Sequence, residues 1–395
     1  MTHAQTPDAA GAPPVRQAGA GALAGIRVVD LSRVLAGPLC TQILADHGAD
    51  IVKVEPPFGD ETRRLGPPFT ESGDAAYFSA LNRGKRSIGL DLARADDQRV
   101  LHGLLRDADV VVENFLPGTM RKWGLDFERD LAPRYPGLVY CSITGFGHDG
   151  PLGGLPGYDA VLQAMCGLMS VNGSADSGPT RIGVPIVDHL TGYVALSGIL
   201  MALVARAHTG IGQRVEATLF DTALSLLVPH AANWLCSGQA PGLTGNAHPN
   251  IAPYDQFDAG DGPIFLGILN DGQFRRFCAQ VGRPDLARDA RFQSNALRLG
   301  HAGALRAEIE AALRGLRRDD LCRDLMAAGV PAGPVYTVPQ ALGHAHAAHR
   351  QMHVAQPGYQ GVGLPIKLSR TPGRPGSAPP AFNEHRAGIL EQARR

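Results

Sequence analysis

The stretch IRVVDLSRVLAGPLCTQILADHGADIVKVE, residues 26–55, constrains the fold more than any other. Ile26–Leu31 is a short apolar run with one aspartate, the length of a strand rather than a helix. Gly37-Pro38 then opens a helix whose apolar face carries Leu39, Ile43 and Leu44, and Gly48 stops it. Asp50–Glu55 reads as a second strand, so the segment forms one βαβ unit. The pattern recurs. Ser87–Leu92 is a strand, Asp96 caps a helix carrying Val100, Leu101, Leu104 and Leu105, and Ala108–Glu113 and Leu138–Thr144 are further strands. Strands alternating with helices imply an α/β fold with a parallel sheet covered on both faces. Ligands of such sheets bind beyond the carboxyl ends of the strands, which singles out the loops 32–38, 114–118 and 145–151.

Composition narrows the function. With 37 basic and 37 acidic residues, the chain lacks the basic excess of a nucleic-acid binder, and no nucleic-acid partner is expected. Six scattered cysteines without a CxxC suit reduced core thiols in a cytoplasmic protein. Residues 1–24 lack a signal-peptide apolar region and read as a flexible tail. The longest apolar run, Tyr193–Ala205, is shorter than a bilayer crossing, so no membrane partner is expected. After about residue 240 the character changes to loop-rich sequence and then helical periodicity. The expected division is a large domain of 25–225 with 335–395, and a small α+β domain of 240–330.

Several motifs carry competing readings. GFGHDG, Gly145–Gly150, matches the dinucleotide GxGxxG and follows a strand, but Pro151 and Gly153-Gly154 come next where a helix is required. His344, His346, His349 and His353 crowd one helical-looking stretch, yet no Asp, Glu or Cys joins them at ligand spacing, and no metal site is expected. Lys85-Arg86 and Arg121-Lys122 are either ordinary surface or phosphate ligands. Asp188 stands just before an apolar helix at about 191–208. By itself it is a helix cap, a core ion pair or a reagent.

The segments GIRVVDLSRVLAGPLCTQILADHGADIVKVEPP, NRGKRSIGLDL, ADVVVENFLPGTM, LPGYDAVLQAMCGLM and the block from Asp188 through HTGIGQRVEATLFD resemble family III CoA-transferases in consistent order over about 24–350. The resemblance implies that Asp188 is the catalytic nucleophile. It places Leu35 and Ala36 against the nucleotide of CoA, Leu90 and Asp91 by the adenine, and Asn114, Phe115 and Leu116 along the pantetheine path. Lys122 then stands by a phosphate and Tyr158 near the thioester. An arginine found after the second strand in some members is Pro56 here, leaving Lys53, Lys85 or Arg86 for the 3′-phosphate. The related α-methylacyl-CoA racemases carry a histidine at the position of Tyr158, and tyrosine suits their proton transfers poorly.

The family pattern further implies an interlocked homodimer of a Rossmann-like large domain and a small domain, with the site shared between subunits and Gly245–Pro249 as a small-domain contribution. The expected activity is CoA transfer between an acyl-CoA and a carboxylic acid, through an aspartyl anhydride and an aspartyl-CoA thioester. No cofactor beyond CoA itself is called for. The TRIGVP segment before Asp188 leans toward dicarboxylates such as succinate. Rival readings are a racemase, a nucleotide oxidoreductase and a non-catalytic CoA-binding protein. An ordinary aspartate, with a pKa of roughly 4, is expected to be ionised at neutral pH without a partner base.

Overall fold

The computed structural model describes residues 21–395; the expected N-terminal tail lies almost wholly outside them. The chain divides into two compact units. The first comprises residues up to Thr144, Thr191–Ala217 and Gln351–Arg395, and the second Gly145–Leu190 and Thr218–Arg350.

The first unit is built on a six-stranded sheet. Its strands are β1 (Arg27–Asp30), β2 (Asp50–Glu55), β3 (Lys85–Gly89), β4 (Val110–Glu113), β5 (Val139–Thr144) and β6 (Arg214–Thr218). They lie in the order β3-β2-β1-β4-β5-β6, and the pairings from β3 to β5 are parallel. This is the doubly wound order of nucleotide-binding sheets, with its switch point between β1 and β4. The central strands β4 and β5 are buried along their whole length, which is why β4 reads as a continuous valine run and β5 lacks a polar/apolar alternation. Helix α1 (Ala36–Asp46) and helix α2 (Ala95–Leu105) bury apolar stripes against the sheet.

The second unit has an antiparallel sheet of Tyr254–Ala259, Gly262–Gly267 and Ala332–Pro334, with a core around Phe257, Ile264, Phe274, Phe277, Phe292 and Leu325. The stretch Gly145–Gly150 leaves β5 as coil, and the next helix is α3 (Asp159–Met165), so no helix stands behind the GxGxxG. Its first glycine has another reason. A Cβ on Gly145 would sit 2.8 Å from the Cα of Gly157, so only glycines let these two backbones touch.

The apolar helix is longer than its sequence suggests. Helix α4 runs Ile186–Thr209, 24 residues, and is long and apolar enough by composition to cross a membrane. Its Ala195, Leu196, Ile199 and Ala202 are nonetheless buried in the protein, and Gly192 lets it approach the carbonyl of Ala36. The helix begins five residues earlier than expected, at Ile186, so Asp188 falls inside its first turn and not before it.

Candidate active site

At the switch point, two loops are stitched by one side chain. The Asn114 carbonyl accepts from Arg33 N at 2.8 Å, and its amide donates to Arg33 O at 2.7 Å. Beneath the first loop lies a buried ionic network. Lys85 Nζ donates to Asp30 Oδ2 at 3.0 Å, to Asn82 Oδ1 at 2.9 Å and to Pro38 O at 3.0 Å. Lys53 Nζ donates to Ser32 O at 2.9 Å and pairs with Asp60 at 3.0 Å. Burial pushes the Asp30 carboxyl up, but Lys85, Lys53 and the Ser32 and Thr41 hydroxyls outweigh it and hold the pKa at about 2. The network over-determines a loop in which Val34, a β-branched residue, takes a left-handed φ of 67°.

These lysines correct the phosphate expectation. Both are fully buried and fully engaged, so neither Lys53 nor Lys85 can meet a phosphate. Arg86 pairs with Asp50 at the amino end of β3, away from the ligand loops. The reading of Lys85-Arg86 as phosphate ligands fails because these residues open their strand, at the end away from the ligand loops.

Beyond the carboxyl ends of β1 to β4 lies a cavity of about 360 Å³. It gathers Leu90, Asp91, Phe115 and Leu116 with Arg33 and Phe58. Asp91 is held by its own turn, accepting from Ala93 N at 3.0 Å. Arg33 is the residue that sequence reasoning passed over. Its Nε is buried without a partner, and its guanidinium lies 5.5 Å from the centre of the Phe115 ring and 3.6 Å from Glu61. Of the other expected CoA contacts, Leu35 and Ala36 are buried and do not line this cavity, and Asn114 is spent on joining the loops. Lys122 is exposed next to Trp123, a lining residue.

The second unit holds the carboxylates. Asp188 is half-buried in the first turn of α4. Asp159 opens α3, and its Oδ2 accepts from Val187 N at 2.8 Å and Asp188 N at 3.2 Å. Asp159 thus caps the helix that carries Asp188; the capping role considered for Asp188 belongs to its neighbour. Gln163, fully buried, donates to Asp159 Oδ1 at 2.6 Å and accepts from Ile182 N at 2.9 Å. This relay fixes Asp159 relative to the segment entering α4. Desolvation, and then the charge of Asp159, push the Asp188 carboxyl up to about 7. The expectation of an ordinary, fully ionised aspartate at neutral pH is therefore wrong: two carboxyl groups share one poorly hydrated corner.

Tyr158 precedes Asp159 and is exposed. Gly245 N donates to Gly173 O at 2.8 Å, which ties the Gly245–Pro249 loop to the hairpin Gly173–Pro179. The histidines divide: His344 caps the short helix Ala345–His349, whereas His353 lies in a strand. No group of three or more metal-ligating side chains occurs among the described residues.

Comparison with known proteins decides the family. The model of CoA-transferase family III matches residues 23–386. The chain belongs to CoA-transferase family III. A succinate–glutarate CoA-transferase of Agrobacterium fabrum is 42% identical over 381 residues, 94% of this chain and 95% of that protein. A succinyl-CoA:mesaconate CoA-transferase of Haloarcula hispanica is 40% identical, covering 94% and 96%. Among solved structures, a CAIB/BAIF family protein from Brucella suis superposes with a TM-score of 0.86 at 43% identity, covering 95% of this chain and all of that one. As a family III CoA-transferase, the protein is an enzyme of acyl-CoA metabolism that takes CoA thioesters and carboxylic acids as substrates.

Proposed function

We propose that this CoA-transferase moves CoA between two dicarboxylic acids, with Asp188 as its covalent carrier. The observation that carries the reading is the Asp159–Asp188 corner. A carboxyl group raised to about 7 is a stronger base, and so a better nucleophile, than an ordinary aspartate, while half of it is still ionised at neutral pH. Asp188 attacks the thioester carbonyl and expels CoA thiolate, giving a mixed anhydride. The thiolate then attacks the aspartyl carbonyl and releases the donor acid. The acceptor carboxylate repeats the two steps in reverse on the aspartyl-CoA thioester. No bond in this sequence is much stronger than the one it replaces, so transfer is reversible.

CoA occupies the cavity at the switch point. Leu90 and Asp91 flank the adenine, Phe115 and Leu116 line the pantetheine path, and Lys122 stands at a phosphate. The unpartnered Arg33 Nε makes Arg33 the partner of the 3′-phosphate, in place of the arginine that Pro56 replaces. Tyr158, beside Asp159 in sequence, stands near the thioester.

Dicarboxylates are favoured because the relatives named above transfer CoA to or from succinate, glutarate or mesaconate. A second copy of the chain covers the exposed stripe Val194, Leu200, Met201 and Val204 of α4, which is too apolar to face water as a free surface. The free thiols, five of six buried, suit the cytoplasm.

The test is a panel of acyl-CoA donors against an acid panel, read by mass spectrometry in deuterated water. Succinyl-CoA with a second dicarboxylate should give the best exchange. Transfer confined to monocarboxylates would overturn the substrate class, and deuterium at the α-carbon without transfer would point to a racemase.

A further inference from the structure

A second cavity, of about 770 Å³, lies at the other end of the sheet from the CoA cleft. Its walls come from Ala108, which leads into β4, and Pro136–Leu138, which lead into β5, so it faces the amino ends of the strands. Nothing in the transfer chemistry uses it.

Four arginines surround it: Arg99 in the middle of α2 and Arg106 just after its end, Arg134 before β5, and Arg206 in the last turn of α4. Two are balanced. Arg99 pairs with Asp96, and Arg206 donates to Asp109 Oδ1 at 2.7 Å and Gly137 O at 3.0 Å. Arg106 and Arg134 have no carboxylate partner among the described residues. The nearby Asp107 and Asp130 are turned to Arg27 and Arg129. The wall between them is rigid: the Tyr135 hydroxyl donates to His102 O at 3.1 Å and meets His102 Nδ1 at 3.0 Å. Burial, and then the charge of Arg134, lower the His102 pKa against the opposing pull of Asp130.

We propose that this cavity binds a small multivalent oxyanion, a phosphate ester or a polycarboxylate, between Arg106 and Arg134, with Arg206 and Tyr135 at its floor. Its volume fits a metabolite, and two unpaired guanidiniums facing one concave surface match an anion with two charged ends. The site stands apart from the cleft that binds CoA and does not depend on how CoA is held.

Isothermal titration of pyrophosphate, and separately of citrate, tests it at constant ionic strength, with CoA present in excess to occupy phosphate sites elsewhere. Saturable binding of one anion per chain is expected from at least one of the two. Pyrophosphate alone would assign phosphate esters, citrate alone polycarboxylates, and both a compact oxyanion of either origin. The double variant Arg106→Gln/Arg134→Gln alters only exposed side chains and should fold. It should weaken the anion at least about tenfold while CoA binds as before. No saturable heat from either anion, or equal binding by the double variant, would overturn the proposal.

Discussion

Asp188→Asn should make the enzyme inactive and, at alkaline pH, more stable. The folded chain raises the Asp188 pKa from 3.8 to about 7, so the native state keeps a proton that the unfolded chain has already lost. The sign follows: wild-type stability falls with rising pH from about 4, and the whole penalty is present above pH 7. At 1.36 kcal/mol per pKa unit, that penalty is about 4 kcal/mol. Part of the side chain meets water, and screening there reduces the figure to about 2 kcal/mol. Asparagine keeps the shape and loses the charge beside Asp159. Urea unfolding of wild type and variant at pH 5, 6, 7 and 8, followed by circular dichroism, should show a stability gap that widens with pH and levels off near pH 8. A gap that stays flat or narrows would refute the idea that Asp188 is held ionised at an energetic cost.

Asp159→Asn removes the like charge, so the alkaline rise of kcat/KM, centred at about pH 7 in the wild type, should move to lower pH as kcat drops; an unmoved profile would mean that Asp159 acts only as a cap. Lys85→Met strands the Asp30 carboxylate in the core and should cost about 3–5 kcal/mol in urea unfolding, and a loss below about 1 kcal/mol would show the pair to be solvated. Arg33→Met should erase the preference for CoA over 3′-dephospho-CoA in titration calorimetry, whereas an undiminished preference would send the 3′-phosphate elsewhere.

Much of the architecture was legible because parallel strands buried on both faces are rich in apolar, β-branched residues. β1, β2, β4 and β5 announced themselves this way, and the switch-point cavity followed from their order. The two lysines were misread for the same reason. In DIVKVE and KRSIG, a lysine within or at the head of a buried strand signals a charge with an internal partner, here Asp60 and Asp30. Asp188 could not be told from a cap by its own neighbours. Only the family pattern named it as reagent, and only the structure shows that Asp159 does the capping. Asp159 left no local trace, since its partners Val187 and Asp188 are 28 and 29 residues away. Arg33 was missed because an arginine in a loop looks like surface until its Nε is found buried and alone.

The central claim is that CoA is carried on Asp188 itself. Enzyme incubated with succinyl-CoA and no acceptor should accumulate an aspartyl-CoA thioester, which hydroxylamine converts to a hydroxamate only after donor is added. Peptide mass spectrometry should then place the modification on Asp188, in the peptide Ile182–Arg206. A donor-dependent hydroxamate on Asp159, or none on an enzyme that still turns over, would contradict the account.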